Sequence, residues 1–262
     1  MNYWTDKEVR AENAKKHVVY AKNAYGKEIE RSCRDTIIYR EDSVFAAGTG
    51  SGINPELVFV NEDTVSAVLQ CNAETSGKIA VLNFASYKYP GGLFLAGSRA
   101  QEECLCMEST LYNTLVRFQD NYYNLNQKSL NRALYKNRAL YTPDIVFERG
   151  QEKMVADVLT CAAPNIGAAR KYQAVSDELN SCVLRSRVEF MRSIFEENRV
   201  DTAILGAWGC GVFGQQPEEV ASVMKDVFAQ SSIKQVVFAV LGNDHTADVF
   251  RSDGVRTPLA PQ

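Results

Sequence analysis

Histidine is scarce in this sequence, long apolar runs are missing, and charge of neither sign dominates; each shortage removes a class of function. The two histidines, His17 and His245, lie far apart, and the seven cysteines include no Cys-x-x-Cys pair. No zinc pattern results, so neither a metal nor a cofactor is expected. The formal charge of −3, with both signs interspersed, lacks the basic stripe of a phosphate-backbone binder, and duplex DNA is not an expected partner. No uninterrupted apolar stretch approaches the roughly 18 residues that cross a bilayer, and the N-terminus is polar rather than a basic head before an apolar core. A soluble, unexported protein with no membrane partner is expected. Single cysteines inside apolar runs, such as Cys71 and Cys161, read as small buried hydrophobes of a reducing compartment, the cytoplasm.

What is present is a large apolar fraction, 45% of 262 residues, enough to bury a core. Thr5 followed by Glu8 has the form of a capping box, and the composition up to about Ala24 favours a helix. Gly48 to Gly52 with Pro55 marks a turn-rich passage, so residues 1–50 are read as a helical extension packed on a main domain of residues 51–262. Strand-length apolar runs then occur at Leu57 to Val60, Ile79 to Ala85, Val155 to Ala163, Thr202 to Ala207 and Val236 to Leu241. Helix-period stripes lie between them, after the caps Asp63 and Ser176 and from Pro217. Strands alternating with helices predict an α/β layered fold. The Tyr-, Asn- and Arg-rich segment from Tyr122 to Tyr141 contains the near-repeat Asn131 to Tyr135 and Asn137 to Tyr141; it is either a helix and turn or a surface insertion near a ligand.

The densest chemical signal runs from Lys78 to Tyr112. A strand ending near Asn83 and Ser86 leads through Gly91 and Gly92 to Gln101, Glu102 and Glu103, at the start of a helix read as reaching Leu115. Strand, glycine loop and helix together can bring bare N–H groups against a phosphate, and paired glutamates suit acid/base work on a sugar. A second loop, Trp208 to Gly214, sets Gly209, Gly211 and Gly214 around Val212 and Phe213, where main-chain amides can wrap a diphosphate while an aromatic ring packs on a sugar face.

These residues resemble the bacterial and fungal type of poly(ADP-ribose) glycohydrolase, a branch of the macro-domain superfamily. Its signature is three glycines, a spacer of about six to eight residues, and Gln-Glu-Glu. Here Gly91-Gly92-Leu93, the spacer Phe94 to Ala100 and Gln101-Glu102-Glu103 follow that layout. Val81 to Ser86, Cys104 with Ser109 to Tyr112, Val158 to Asn165 and Gly206 to Gly214 resemble its flanks. The resemblance implies a three-layer α/β/α macro-domain-like fold with a mixed central sheet, and a metal-independent glycosidase releasing ADP-ribose from chain ends. Glu103 would protonate the leaving 2′-oxygen and then serve as base for water; Glu102, Asn83 and Ser86 would hold the terminal ribose. Gly91, Gly92, Leu93, Gly209, Gly211, Val212 and Gly214 would grip the diphosphate, Phe213 would orient the sugar, and Gln101 completes the site. Neighbouring helical residues point about 100° apart, so one carboxyl rather than a flanking pair acts as the acid.

One departure is Leu93, in the place of the third glycine. Leucine there is strained by roughly 1 kcal/mol if the backbone needs a positive φ. It also puts an isobutyl group beside the expected phosphate path, so a module that binds ADP-ribose without turnover stands beside hydrolysis of the polymer; a hydrolase removing ADP-ribose from proteins or nucleobases, with ADP-ribosylated proteins as partners, shares the fold and is a third reading. Cys104 and Cys106 read as structural, His245 as solvated in a polar turn, and Trp208 as either core or platform.

Overall fold

The structure, a computed structural model, describes residues 6–45, 54–71, 77–251 and 254–257. Thr5 and the Gly48 to Gly52 turn lie outside the described residues. The strands are β1 (Ile37–Tyr39), β2 (Glu56–Val60), β3 (Ile79–Phe84), β4 (Ala139–Arg149), β5 (Glu152–Cys161), β6 (Thr202–Leu205) and β7 (Gln235–Ala239). The helices are α1 (Lys7–Ala24), α2 (Gly26–Asp35), α3 (Thr64–Leu69), α4 (Gln101–Met107), α5 (Leu111–Leu115), α6 (Asn124–Gln127), α7 (Ile166–Gln173), α8 (Asp177–Glu197), α9 (Pro217–Phe228) and α10 (His245–Arg251).

The strands form one mixed sheet in the order β1-β4-β5-β3-β6-β7-β2. From β5 to β2 neighbours run parallel, while β4 lies antiparallel between β5 and β1. Parallel strands covered on both faces read as continuous apolar runs, and β3 is buried along its length except at Phe84. Successive side chains leave it in opposite directions. Ala80 and Leu82 join a core with Leu184, Val188 and Met191 of α8 and Val220 and Met224 of α9. Ile79 and Val81 join another with Val65 and Val68 of α3, Leu105 of α4 and Leu111 of α5. The expected α/β/α sandwich is therefore present.

Local chemistry explains most boundaries. Asp63 caps α3 by accepting from the N–H groups of Val65 and Ser66, and Ser176 caps α8 by accepting from that of Leu179. Pro217 occupies the first turn of α9, where its missing N–H costs nothing. Helix α1 starts behind an Asp6 cap.

Three elements differ from expectation. The helix carrying the glutamates stops at Met107 instead of reaching Leu115, because the next residues turn aside to bond β4: Glu148 N–H donates to the Glu108 carbonyl and Thr110 N–H to that of Val146. His245 begins a helix, and its side chain bonds Glu218 on the exposed surface. The segment from Tyr122 begins as the helix and turn of one reading, and it also places Tyr135 on the wall of the cavity that holds Glu103, as the other reading expected of a segment near a ligand. It runs through α6 into β4, an inner strand that tolerates Pro143 because the register shifts between Thr142 and Ile145. The two copies of the near-repeat adopt different structures. Asn131, Arg132 and Ala133 form a left-handed turn with φ of 45°, 52° and 66°, whereas the second copy enters β4.

Candidate active site

Ligands of open α/β sheets bind beyond the carboxyl ends of the strands. Here the loops leaving β3, β5 and β6 enclose a cavity of about 600 Å³ lined by Ser86, Glu102, Glu103, Tyr135, Asn165 and Phe213 among others. A second cavity of about 450 Å³, beyond β2 and β7, shares Phe84, Gln101, Ala207 and Gly211 with it. The two cavities adjoin at these residues.

Glu103 is buried at 7% exposure, and main-chain donors hold both its oxygens: Leu93 N–H to Oε1 at 2.9 Å and Ala100 N–H to Oε2 at 2.8 Å. The second bond is the reciprocal half of a capping box, so the glutamate closes the first turn of α4 while facing the cavity. Glu102 converges on the same loop from the β3 side. Its oxygens accept from Ser86 N–H at 2.7 Å and Asn83 Nδ2 at 3.2 Å. Burial pushes the Glu102 carboxyl up to about 8; the Ser86, Asn83 and Gly91 donors oppose that rise and neighbouring Glu103 adds to it.

Gly92 explains how two carboxyls converge. At φ +59° a Cβ would sit 2.6 Å from Glu103 Oε1 and 3.1 Å from Glu102 Oε2, so only glycine leaves both in place. The Gly91-Gly92 loop serves the acids rather than forming an open phosphate cradle, since Gly92 N–H donates to the Tyr89 carbonyl and Gly91 N–H reaches Glu102. Leu93 has φ −107°, so leucine is unstrained and its side chain points out, 60% exposed.

Asn83 and Gln101 lie behind the glutamates. Fully buried Asn83 donates through Nδ2 to Glu102 and Thr160 and is not among the residues lining the cavity, while its Oδ1 has no hydrogen-bond partner among the described residues. Gln101 lines the cavity, but its side chain ties α4 to β3: Nε2 donates to the Leu82 carbonyl at 2.9 Å and Oε1 accepts from Phe84 N–H at 2.8 Å. Ser86 Oγ faces its own loop, accepting from the N–H groups of Lys88 and Tyr89.

The second loop behaves as a cradle. Among the described residues the N–H groups of Gly211, Val212 and Phe213 donate to no protein acceptor, while Gly214 N–H closes the turn onto the Gly211 carbonyl. Gly209, Gly211, Val212 and Phe213 line the cavity; Gly214, at φ +73°, sits behind them against Gly167. Trp208 is core, fully buried, with Nε1 donating to the Cys161 carbonyl at 2.9 Å.

Sequence reasoning missed the wall behind Phe213. Tyr87 and Tyr135 stack at 4.3 Å between centroids, and Phe213 meets Tyr135 edge-on at 6.0 Å. Buried Arg187 of α8 fixes this wall by donating to the carbonyls of Ala162 and Leu134 and to Asn137 Oδ1; burial lowers its pKa from the ordinary guanidinium value. The near-repeat flagged the segment but carried no sign of its left-handed turn. Cys104 and Cys106 are structural thiols: burial pushes Cys104 up to about 11 and Cys106 well above its usual value.

An α/β/α sandwich whose strand ends present a buried, main-chain-anchored carboxyl beside an amide-rich loop defines an enzyme-like nucleotide site. The family model for the catalytic domain of microbial-type PARG matches residues 7–150, and the chain belongs to that family. Solved structures agree. Poly(ADP-ribose) glycohydrolase from Thermomonospora curvata is 26% identical, with 93% of this chain and 98% of that one covered and a TM-score of 0.81. Its complex with the inhibitor ADP-HPD gives 25%, 93%, 98% and 0.80. The Deinococcus radiodurans enzyme in complex with ADP-ribose is 30% identical, covering 85% of this chain and 95% of that one at a TM-score of 0.75. No curated protein sequence matches the chain.

Proposed function

We propose that this protein is a poly(ADP-ribose) glycohydrolase that releases ADP-ribose from chain ends, with Glu103 as its catalytic acid and no metal. The carrying observation is a buried carboxyl, held by two main-chain N–H groups, that opens onto a cavity of about 600 Å³ also lined by the second glycine loop. Fixing a proton donor against a glycosidic oxygen lowers the barrier to departure of the 2′-oxygen through an oxocarbenium-like transition state. The same carboxylate then takes a proton from the incoming water. Glu102, braced by Asn83 and Ser86, holds ribose hydroxyls; the amides of Gly211, Val212 and Phe213 grip the diphosphate, and the Phe213 ring sets the sugar against the acid.

Residues 51–262 form the catalytic unit in this reading, with residues 1–50 packed on it. Cysteines with no disulfide among them support the cytoplasm as its compartment, and ADP-ribosylated proteins are the macromolecules it would meet. No helix among the described residues is long and apolar enough to cross a membrane. The binding-only alternative drew on Leu93 in the place of the third glycine; φ −107° speaks against strain there, and a 60% exposed side chain on the cavity rim leaves the acid accessible, which supports the hydrolase reading. Incubation with labelled polymer beside a Glu103→Ala control tests the proposal: the unsubstituted protein releases ADP-ribose and the control does not. Equal inertness of the two defeats it.

A further inference from the structure

Tyr89 and Leu93 line the cavity that holds Glu103, yet they are 49% and 60% exposed, and Leu95 in the same turn is 39% exposed. Elsewhere the exposed large apolar residues are mostly scattered, so this cluster is a patch rather than background. Main-chain bonds fix it beside the acid: Leu93 N–H donates to Glu103 Oε1, and Tyr89 accepts from Gly92 N–H. Neither an unusual φ nor core packing accounts for a leucine at position 93. Lys88 adds a cation, its Nζ 5.9 Å from the centre of the Tyr89 ring.

A proton donor must have the departing group on its open side. Lys88, Tyr89, Gly92 and Leu93 line the same cavity as Glu103, so a group departing on the open side of the acid has them within reach. We infer that Tyr89 and Leu93 form a binding site for the leaving group, and that its ligand is the purine base of the next polymer unit, with Lys88 meeting the adjoining phosphate. This rests on the polymer-hydrolase reading and extends it to the other side of the broken bond. A flat base suits an exposed ring and an isobutyl group, and an anion suits the ammonium; a peptide leaving group would instead bring a row of main-chain donors and acceptors against which these two side chains offer a single hydroxyl.

The test is calorimetric titration in a Glu103→Ala background, where the ligand stays whole. Three probes are compared: ADP-ribose, its dimer joined ribose to ribose, and a peptide bearing one ADP-ribose. The dimer is expected to bind about tenfold more tightly than ADP-ribose, as one base stacked on an aromatic ring provides. That ratio falls towards one in Tyr89→Ala and in Leu93→Ala and survives in Tyr89→Phe. Equal affinity for dimer and monomer overturns the inference, as does a ratio indifferent to these substitutions or a gain carried by the peptide instead of the dimer. If ADP-ribose itself fails to bind, the functional reading falls and takes the inference with it; ADP-ribose binding without a dimer preference sinks the inference alone.

Discussion

Gly92 has φ +59°, and a Cβ there would stand 2.6 Å from Glu103 Oε1, where ordinary contact begins near 3.4 Å. In Gly92→Ala two effects separate. The left-handed backbone costs about 1–2 kcal/mol for an L-residue, and at about 2–4 °C per kcal/mol the melting temperature drops by a few degrees. The close atom is the far end of a side chain, so the fold survives; the carboxyl, however, must withdraw by about 1 Å, and a displacement of that size at a reacting centre costs on the order of 100-fold in rate. Withdrawal also strains the bonds from Leu93 and Ala100 N–H that aim it. Thermal melting and release of ADP-ribose from labelled polymer read the two effects side by side. A folded variant whose kcat stays within a few-fold of the unsubstituted protein would refute the idea that Gly92 leaves room for the acid.

Glu102 sits well above the ordinary carboxyl range, at about 8, so its protonated form favours the folded state; that contribution is full below about pH 4.5 and is lost as pH rises through 8. The melting-temperature gap between the unsubstituted protein and Glu102→Gln should therefore shift steadily against the former from pH 5 to 8.5, and parallel curves would contradict the assignment. Gln101→Glu sets an acceptor against the Leu82 carbonyl in place of an amide donor and should cost about 2–3 kcal/mol by urea unfolding, whereas Gln101→Met leaves the Leu82 carbonyl and Phe84 N–H without this partner but opposes no charge to the former, and should cost less. Trp208→Phe strands the Cys161 carbonyl and should lower stability by about 2 kcal/mol, measured the same way.

The layered core was legible because its strands are buried on both faces and its helices carry local caps. Ile79 to Phe84 reads as a strand from composition alone, and Asp63, Ser176 and Pro217 announce the helices that follow them. The antiparallel edge was not. Only three residues of β1 pair, and β4 contains Pro143 and Asp144, the latter at φ +58°, which together imitate a turn. The glutamate pair and both loops could be located from spacing, but the division of labour could not: burial, rather than motif, turns Asn83 into a brace for Glu102 and Gln101 into a tie between α4 and β3. The Tyr87–Tyr135–Phe213 wall needs a left-handed turn of L-residues, for which no composition rule exists.

The same carboxylate that faces the cavity, and that the proposed reaction uses as its acid, also closes the first turn of α4. An acid hung from a free rotamer would need to be re-aimed after every turnover; this one is wired into the scaffold, so swinging aside would undo the first coil of its own helix. In the proposed reaction, water entering after the first product departs would meet the group where the sugar left it, and both proton transfers would share a single address.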